Sequence, residues 1–283
     1  MSRAAPAHAE DQPSPTTPDT PGLGTRGRLP TGLTRRLLVV EVLLVLALSL
    51  GRSGVFSIVS FLADLTSGRS LSSQSVVLND SLAPGRPLLD LVRQVLRIGF
   101  ALAPMALVWY LLVRSGEGLR ALGVDATQRL RDLGRGVGLA ALVGAVGLAG
   151  YLLAYRSGAN LAVVAQGLPE AWWRWPVLVA AAVQNAVLEE VVVVGFLMRR
   201  LTQLGWGPAA TIATSALVRG SYHLYQGIGG LLGNIAMGVL FGWLYRRWGR
   251  VIPLVIAHAL IDIVAFVGYA LLAGQVSWLP GAR

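Results

Sequence analysis

Residues 173–198 read WRWPVLVAAAVQNAVLEEVVVVGFLM. As a helix this run is long enough to cross a bilayer, which takes about 20 apolar residues. Yet Glu189 and Glu190 stand side by side within it. An ionised side chain at mid-membrane costs on the order of 3 kcal/mol by insertion scales, so such groups turn inward and mark sites. The stretch therefore reads as a membrane-spanning helix with buried acids, and the rest of the chain is read outward from it.

Six further apolar segments have similar length. All seven fall at roughly 37–60, 90–113, 136–155, 173–198, 208–225, 229–245 and 251–273. The composition agrees: 54% of 283 residues are hydrophobic and 13% charged, about half the charged share of a soluble domain. The fold class expected is all-α, a polytopic transmembrane helix bundle of about seven to eight spans. Residues 1–34, rich in Pro, Thr, Gly and Ala, read as a disordered tail. They do not resemble a signal peptide, because the first apolar run starts only after Arg35-Arg36. Residues 35–172 read as N-terminal helices and loops, 173–273 as a core, and 274–283 as a C-terminal tail. Residues 55–65 could form a separate interfacial piece, 66–87 an outside loop, and 119–135 a surface helix or loop. Gly136, Ala140 and Gly144, four apart, suit close helix packing.

The net charge is +10, and all 24 basic residues are arginine. With the N-terminus inside, fifteen arginines fall in inside segments and six outside, while Arg93, Arg97 and Arg219 lie within spans. This asymmetry places the N-terminus in the cytoplasm. The partner implied is a lipid bilayer, not nucleic acid, because no basic stripe is interleaved with aromatics. Trp172, Trp173 and Trp175 fit an interfacial belt. The lack of lysine, with heavy use of Ala, Gly and Arg, suggests a bacterial cytoplasmic membrane. There is no cysteine, which excludes thiolate chemistry.

The last four segments hold Glu189, Glu190, Arg219, His223, His258 and Asp262, with Gln184, Asn185 and Asn234. Asn185 and Glu189 are four apart, as are Arg219 and His223, and His258 and Asp262. Three helices each present a polar pair on one face. Helix–helix ties, Glu190 to Arg219 and His258 to Asp262, would account for some of them. As a set, they fit amide hydrolysis by activated water, a carboxylate taking the proton and an imidazole facing the oxyanion. No H-E-x-x-H or G-x-S-x-G motif is present.

Three motifs carry a family likeness: Glu189-Glu190 followed by an apolar helix through Gly195-Phe196, Arg219-Gly-Ser-Tyr-His223, and His258-Ala-Leu-Ile-Asp262. Together they resemble the CPBP family of intramembrane proteases, which includes type II CAAX prenyl endopeptidases and Abi-like proteins. The resemblance implies Glu189 as base, His223 beside the same water, His258 and Asp262 on the oxyanion side, and Glu190 in support. Arg219, Asn185 and Asn234 are expected to assist. No metal is expected; a divalent ion such as zinc, if used, would take Glu189, His223 and His258. The substrate implied is a membrane-anchored peptide or protein. Two positions depart from the family pattern: Val194 stands where an arginine is usual, and Arg219 where a phenylalanine is usual. Arg219 can be read as that arginine relocated, paired with Glu190 and leaving Glu189 free. The alternatives are a non-catalytic scaffold or immunity factor on the same fold, favoured by Val194, and a small-solute or proton transporter.

Overall fold

The computed structural model describes residues 22–280; His8 and most of the expected tail lie outside them. The chain forms α1 (Arg35–Ala47), α2 (Leu50–Thr66), α3 (Pro87–Ala101), α4 (Ala103–Arg114), α5 (Arg129–Arg156), α6 (Arg174–Glu189), α7 (Met198–Gln203), α8 (Pro208–Ser221), α9 (Ile228–Trp248) and α10 (Ile252–Leu272). A π-helical segment, Glu190–Leu197, joins α6 to α7 without a break. Local chemistry sets several starts. Thr34 caps α1 through a hydrogen bond from the Leu37 N–H, and prolines stand in the first turns of α3, α8 and α10.

Five helices among the described residues are long and apolar enough to span a membrane, or six if α1 and α2, bent by 51°, count as one. The fifth apolar segment of the sequence is the exception. As α8 it has 14 residues, about 21 Å of helix against about 30 Å of hydrocarbon. It nevertheless connects the two ends of the bundle, starting beside inner-end residues and leading into an outer-end loop, as described next. The first segment also differs from a single span, because the helix breaks between Ala47 and Leu50.

The α6–π–α7 rod is the axis of the bundle. In its apolar window 72% of residues are buried, against 6% for α5 at the periphery. α10 lies on α5 and α6, and α8 on α9. Peripheral helices turn Phe56, Phe100, Leu142 and Val146 outward, the surface a lipid solvent asks for.

The arginine-rich segments meet at one end. Arg199 holds Glu117 at 2.6 Å and the carbonyls of Gly22 and Ala121. Arg200, fully buried, holds Glu117 at 2.7 Å and lies 3.5 Å from Glu41, which also pairs with Arg114. Arg250 clamps Asp125 and Asp132 at 3.0 and 2.7 Å. Arg26 and Arg35 donate to the carbonyls of Gly205 and Leu204, just before α8. Residues 22–34 thus run in turns over this end, with Leu23 fully buried; they are packed, unlike the disordered tail expected. The segment 119–135 is divided: Leu119–Leu122 is a 3-10 turn, and Arg129 already begins α5.

At the opposite end two distant loops pair. β1 (Ser75–Val77) and β2 (Ala162–Val164) form a parallel two-stranded sheet in register 75↔162 to 77↔164. The Leu161 N–H donates to the Gln226 carbonyl at 3.2 Å, which anchors the turn after α8 here.

Glu117 lies outside the spans. Burial alone would raise its pKa, but the hydrogen bond and charge of Arg199, with Arg200 and Gln203, outweigh burial and hold the carboxyl below the ordinary glutamate range. Its stabilisation is complete above the unfolded value of about 4.3 and fades as pH falls through the lower folded value. Melting scans from about pH 7 to 3 in detergent will show that acid loss. Glu117→Gln will flatten it and lower neutral-pH stability by roughly 3–5 kcal/mol, the scale for breaking a buried pair. Identical acid dependence in both proteins would remove Glu117 as its source.

Candidate active site

Glu189 ends α6 and Glu190 opens the π segment, so the two acids sit where the rod widens. π-helical turns are rare and recur at functional sites. Both acids are buried, Glu190 completely. α8 brings Arg219 against them, with Nη2 2.5 Å from Glu190 Oε1 and Nη1 3.4 Å from Glu189 Oε2. The expected tie to Glu190 is present, but the same guanidinium also reaches Glu189. Val194 is fully buried in the apolar core, so Arg219 alone supplies the guanidinium at this carboxylate pair.

Arg219 gets this deep because α8 and α9 approach closely. A Cβ on Gly238 would stand 2.8 Å from Ala216 Cα, and one on Gly220 2.5 Å from an Ile235 side-chain carbon. The Phe241 ring covers the guanidinium, with its centroid 5.5 Å from Cζ.

α8 ends at Ser221, so Tyr222 and His223 lie in the turn beyond it. The Tyr222 hydroxyl donates to Glu189 Oε2 at 2.9 Å. His223 turns back, its Nδ1 3.1 Å from the Arg219 carbonyl. Since a carbonyl only accepts, Nδ1 carries the proton, and the neutral ring keeps its lone pair on Nε2. The rings of Tyr222 and His223 lie 4.7 Å apart. From α10, His258 Nδ1 lies 2.7 Å from Glu190 Oε1, and Nε2 lies 3.7 Å from Asp262 Oδ1. The stronger partner of His258 is therefore Glu190, not the Asp262 expected from spacing. Asn185 stands beside the Asp262 carboxylate, and both imidazoles, with Arg219, lie within electrostatic reach of Glu189.

Of the expected residues, Glu189, Glu190, Arg219, His223, His258, Asp262 and Asn185 are brought together. Asn234 is not: its amide donates to Gly230, one turn back on α9, at 3.0 Å. Tyr222, named above only as part of the second motif, touches the first glutamate. The available signal was its spacing of three from Arg219. Glu190 Oε2 and Arg219 Nε are buried without a hydrogen-bond partner among the described residues, a feature native interiors keep for reactive or strained places.

Among the described residues no three His, Asp or Glu side chains are grouped to hold a metal ion. His258 Nδ1 is directed at Glu190, and a guanidinium already occupies the face between the glutamates.

The arrangement defines a class before any comparison: a membrane-embedded bundle with a buried carboxylate–imidazole centre. Residues 171–264 match the family model described as type II CAAX prenyl endopeptidase Rce1-like. The matched third of the chain contains all three motifs. No curated protein and no solved structure matches the chain.

Arg219→Leu will leave Glu190 as an uncompensated buried charge and lower stability by about 3–5 kcal/mol, whereas Arg219→Lys will recover part of it. Melting in detergent reads both. An unchanged leucine variant would mean that the guanidinium does not hold the glutamates.

Proposed function

We propose that this protein is an intramembrane endopeptidase that hydrolyses a peptide bond of a membrane-associated polypeptide with water activated by Glu189. The observation that carries the reading is the convergence of Glu189, Tyr222, His223, His258 and Glu190 from three separate parts of the chain.

Glu189 Oε2 takes the hydrogen bond from Tyr222, while Oε1 takes none from any described residue. A water at Oε1 donates one hydrogen there and the other to His223 Nε2, which aims its oxygen lone pair at a substrate carbonyl. Attack forms the new C–O bond as the water proton passes to Glu189. His258, its Nδ1–H held by Glu190, offers Nε2–H to the oxyanion, and Asp262, 3.7 Å from the same nitrogen, favours the charged ring. Collapse breaks the C–N bond as Glu189 returns the proton to the leaving amine. Atoms and charge balance with one water consumed. The scheme is written for Glu189, His223 and His258 acting on water directly. Arg219 is a positioning residue, holding the two glutamates apart in charge and place.

The substrate assigned is a single-span or lipid-anchored polypeptide of a bacterial membrane; a prenyl group is not required by any residue described.

Purified protein in proteoliposomes will cleave a single-span reporter peptide. Glu189→Gln and His258→Ala will each lower kcat by about 10²–10⁴, the range for a lost acid–base or oxyanion partner. Tyr222→Phe will cost about tenfold, the loss of one hydrogen bond to a carboxylate. All three variants must melt as folded protein. Undiminished cleavage in folded Glu189→Gln would end the proposal; solute flux without cleavage would favour a transporter.

A further inference from the structure

At the arginine-poor end lies a cavity of about 430 Å³, lined on one side by Ser53, Phe56, Ser57, Ser60 and Asp64 of α2 and on the other by Tyr222 and Tyr225. Ser53, Ser57, Ser60 and Asp64 are spaced four, three and four apart, so they form one stripe on one helix face. The opposite face is apolar and exposed, with Val55, Ile58, Val59 and Leu62 outward. Tyr222, one of the lining residues, has its hydroxyl on Glu189. The lining also includes Ser75 and Val76 of β1.

Packing does not account for the stripe. The buried Ser57 hydroxyl accepts from the Tyr225 N–H at 2.7 Å and so ties α2 to the turn after α8. The hydroxyls of Ser53 and Ser60 and the carboxylate of Asp64 have no hydrogen bond or ion pair with any described residue. Ser53, Ser60 and Asp64, polar groups on a membrane helix without partners among the described residues and lining a cavity that reaches Tyr222, call for a polar occupant. From Ser53 to Asp64 the stripe runs about 16 Å at 1.5 Å per residue, the length of about five extended residues. Hydroxyls both donate and accept, which suits a peptide backbone of any sequence. Asp64 adds one fixed negative charge, about 10 Å beyond Ser57 along the helix.

We infer that this groove binds the outward-leading stretch of the substrate in extended form, and that Asp64 selects a basic side chain about three residues beyond the cleaved bond. The inference rests on the peptidase reading for its chemistry. Asp64 is then a specificity residue, and Tyr222 is where the groove hands the chain to Glu189.

The test separates binding from cleavage. Reporter peptides with a helix of about 20 Leu and Ala residues and a Gly/Ser outer segment carry one Lys, Ala or Glu at each of the first five outer positions in turn. Their binding is measured by fluorescence anisotropy on Glu189→Gln protein in nanodiscs, and their cleavage on the protein with Glu189 intact. One position, near the third, will favour Lys over Glu on the order of tenfold. Adding Asp64→Asn will level the Lys, Ala and Glu reporters, and Asp64→Lys will invert their order. Ser60→Val will weaken all three alike. Selective binding without cleavage supports the groove and overturns the peptidase reading. Cleavage with one Lys-to-Glu ratio whatever stands at residue 64 overturns the groove and leaves the peptidase reading standing. Neither binding nor cleavage overturns both.

Discussion

Everything in this bundle depends on the guanidinium of Arg219 standing between two successive carboxylates in an apolar interior. Glu189 and Glu190 would be intolerable side by side without it. Its reach to both acids, 3.4 and 2.5 Å, joins α8 to the central rod, while His258 joins α10 to the same carboxylate. The bare backbones of Gly220 and Gly238 let α9 close over the pair. Charge compensation and helix packing are therefore one constraint seen from two sides.

The rod that carries the acids is fixed at both ends by different means. At the arginine-rich end, Glu117 gathers Arg199, Arg200 and Gln203 from α7. At the other end a short sheet pairs loops that lie far apart in the chain. This second end also holds the cavity lined by the α2 serines, Asp64 and Tyr222.

The sequence showed much of this through spacing. Apolar runs located the helices, and acids, imidazoles and a guanidinium inside them located the centre. Separations of four put Asn185 with Glu189 and His258 with Asp262 on shared faces, and Asn185 does meet Asp262. Spacing failed where helices stop or change form. Tyr222 reaches Glu189 because α8 ends at Ser221, a stop that the apolar pattern running on to 225 conceals. Asn234 looked like another member of the centre, but its own backbone satisfied it. The break before Leu50 and the pairing of residues 75–77 with 162–164 depend on contacts between remote segments, which no local pattern encodes.

The π-helical stretch Glu190–Leu197 bears on the geometry of both ends at once. Each residue of an α-helix advances the side chains by about 100°, and hydrogen bonds to i+5 take up an added residue per turn. The four valines 191–194 thus set the azimuth of Arg199 and Arg200 relative to Glu189 and Glu190. With the same residues wound as an ordinary helix, the arginines would turn by about 100° relative to the acids and leave Glu117. The swelling in the rod acts as the spacer that lets one continuous helix address the carboxylate–imidazole centre and the arginine clasp on Glu117 in their proper directions together.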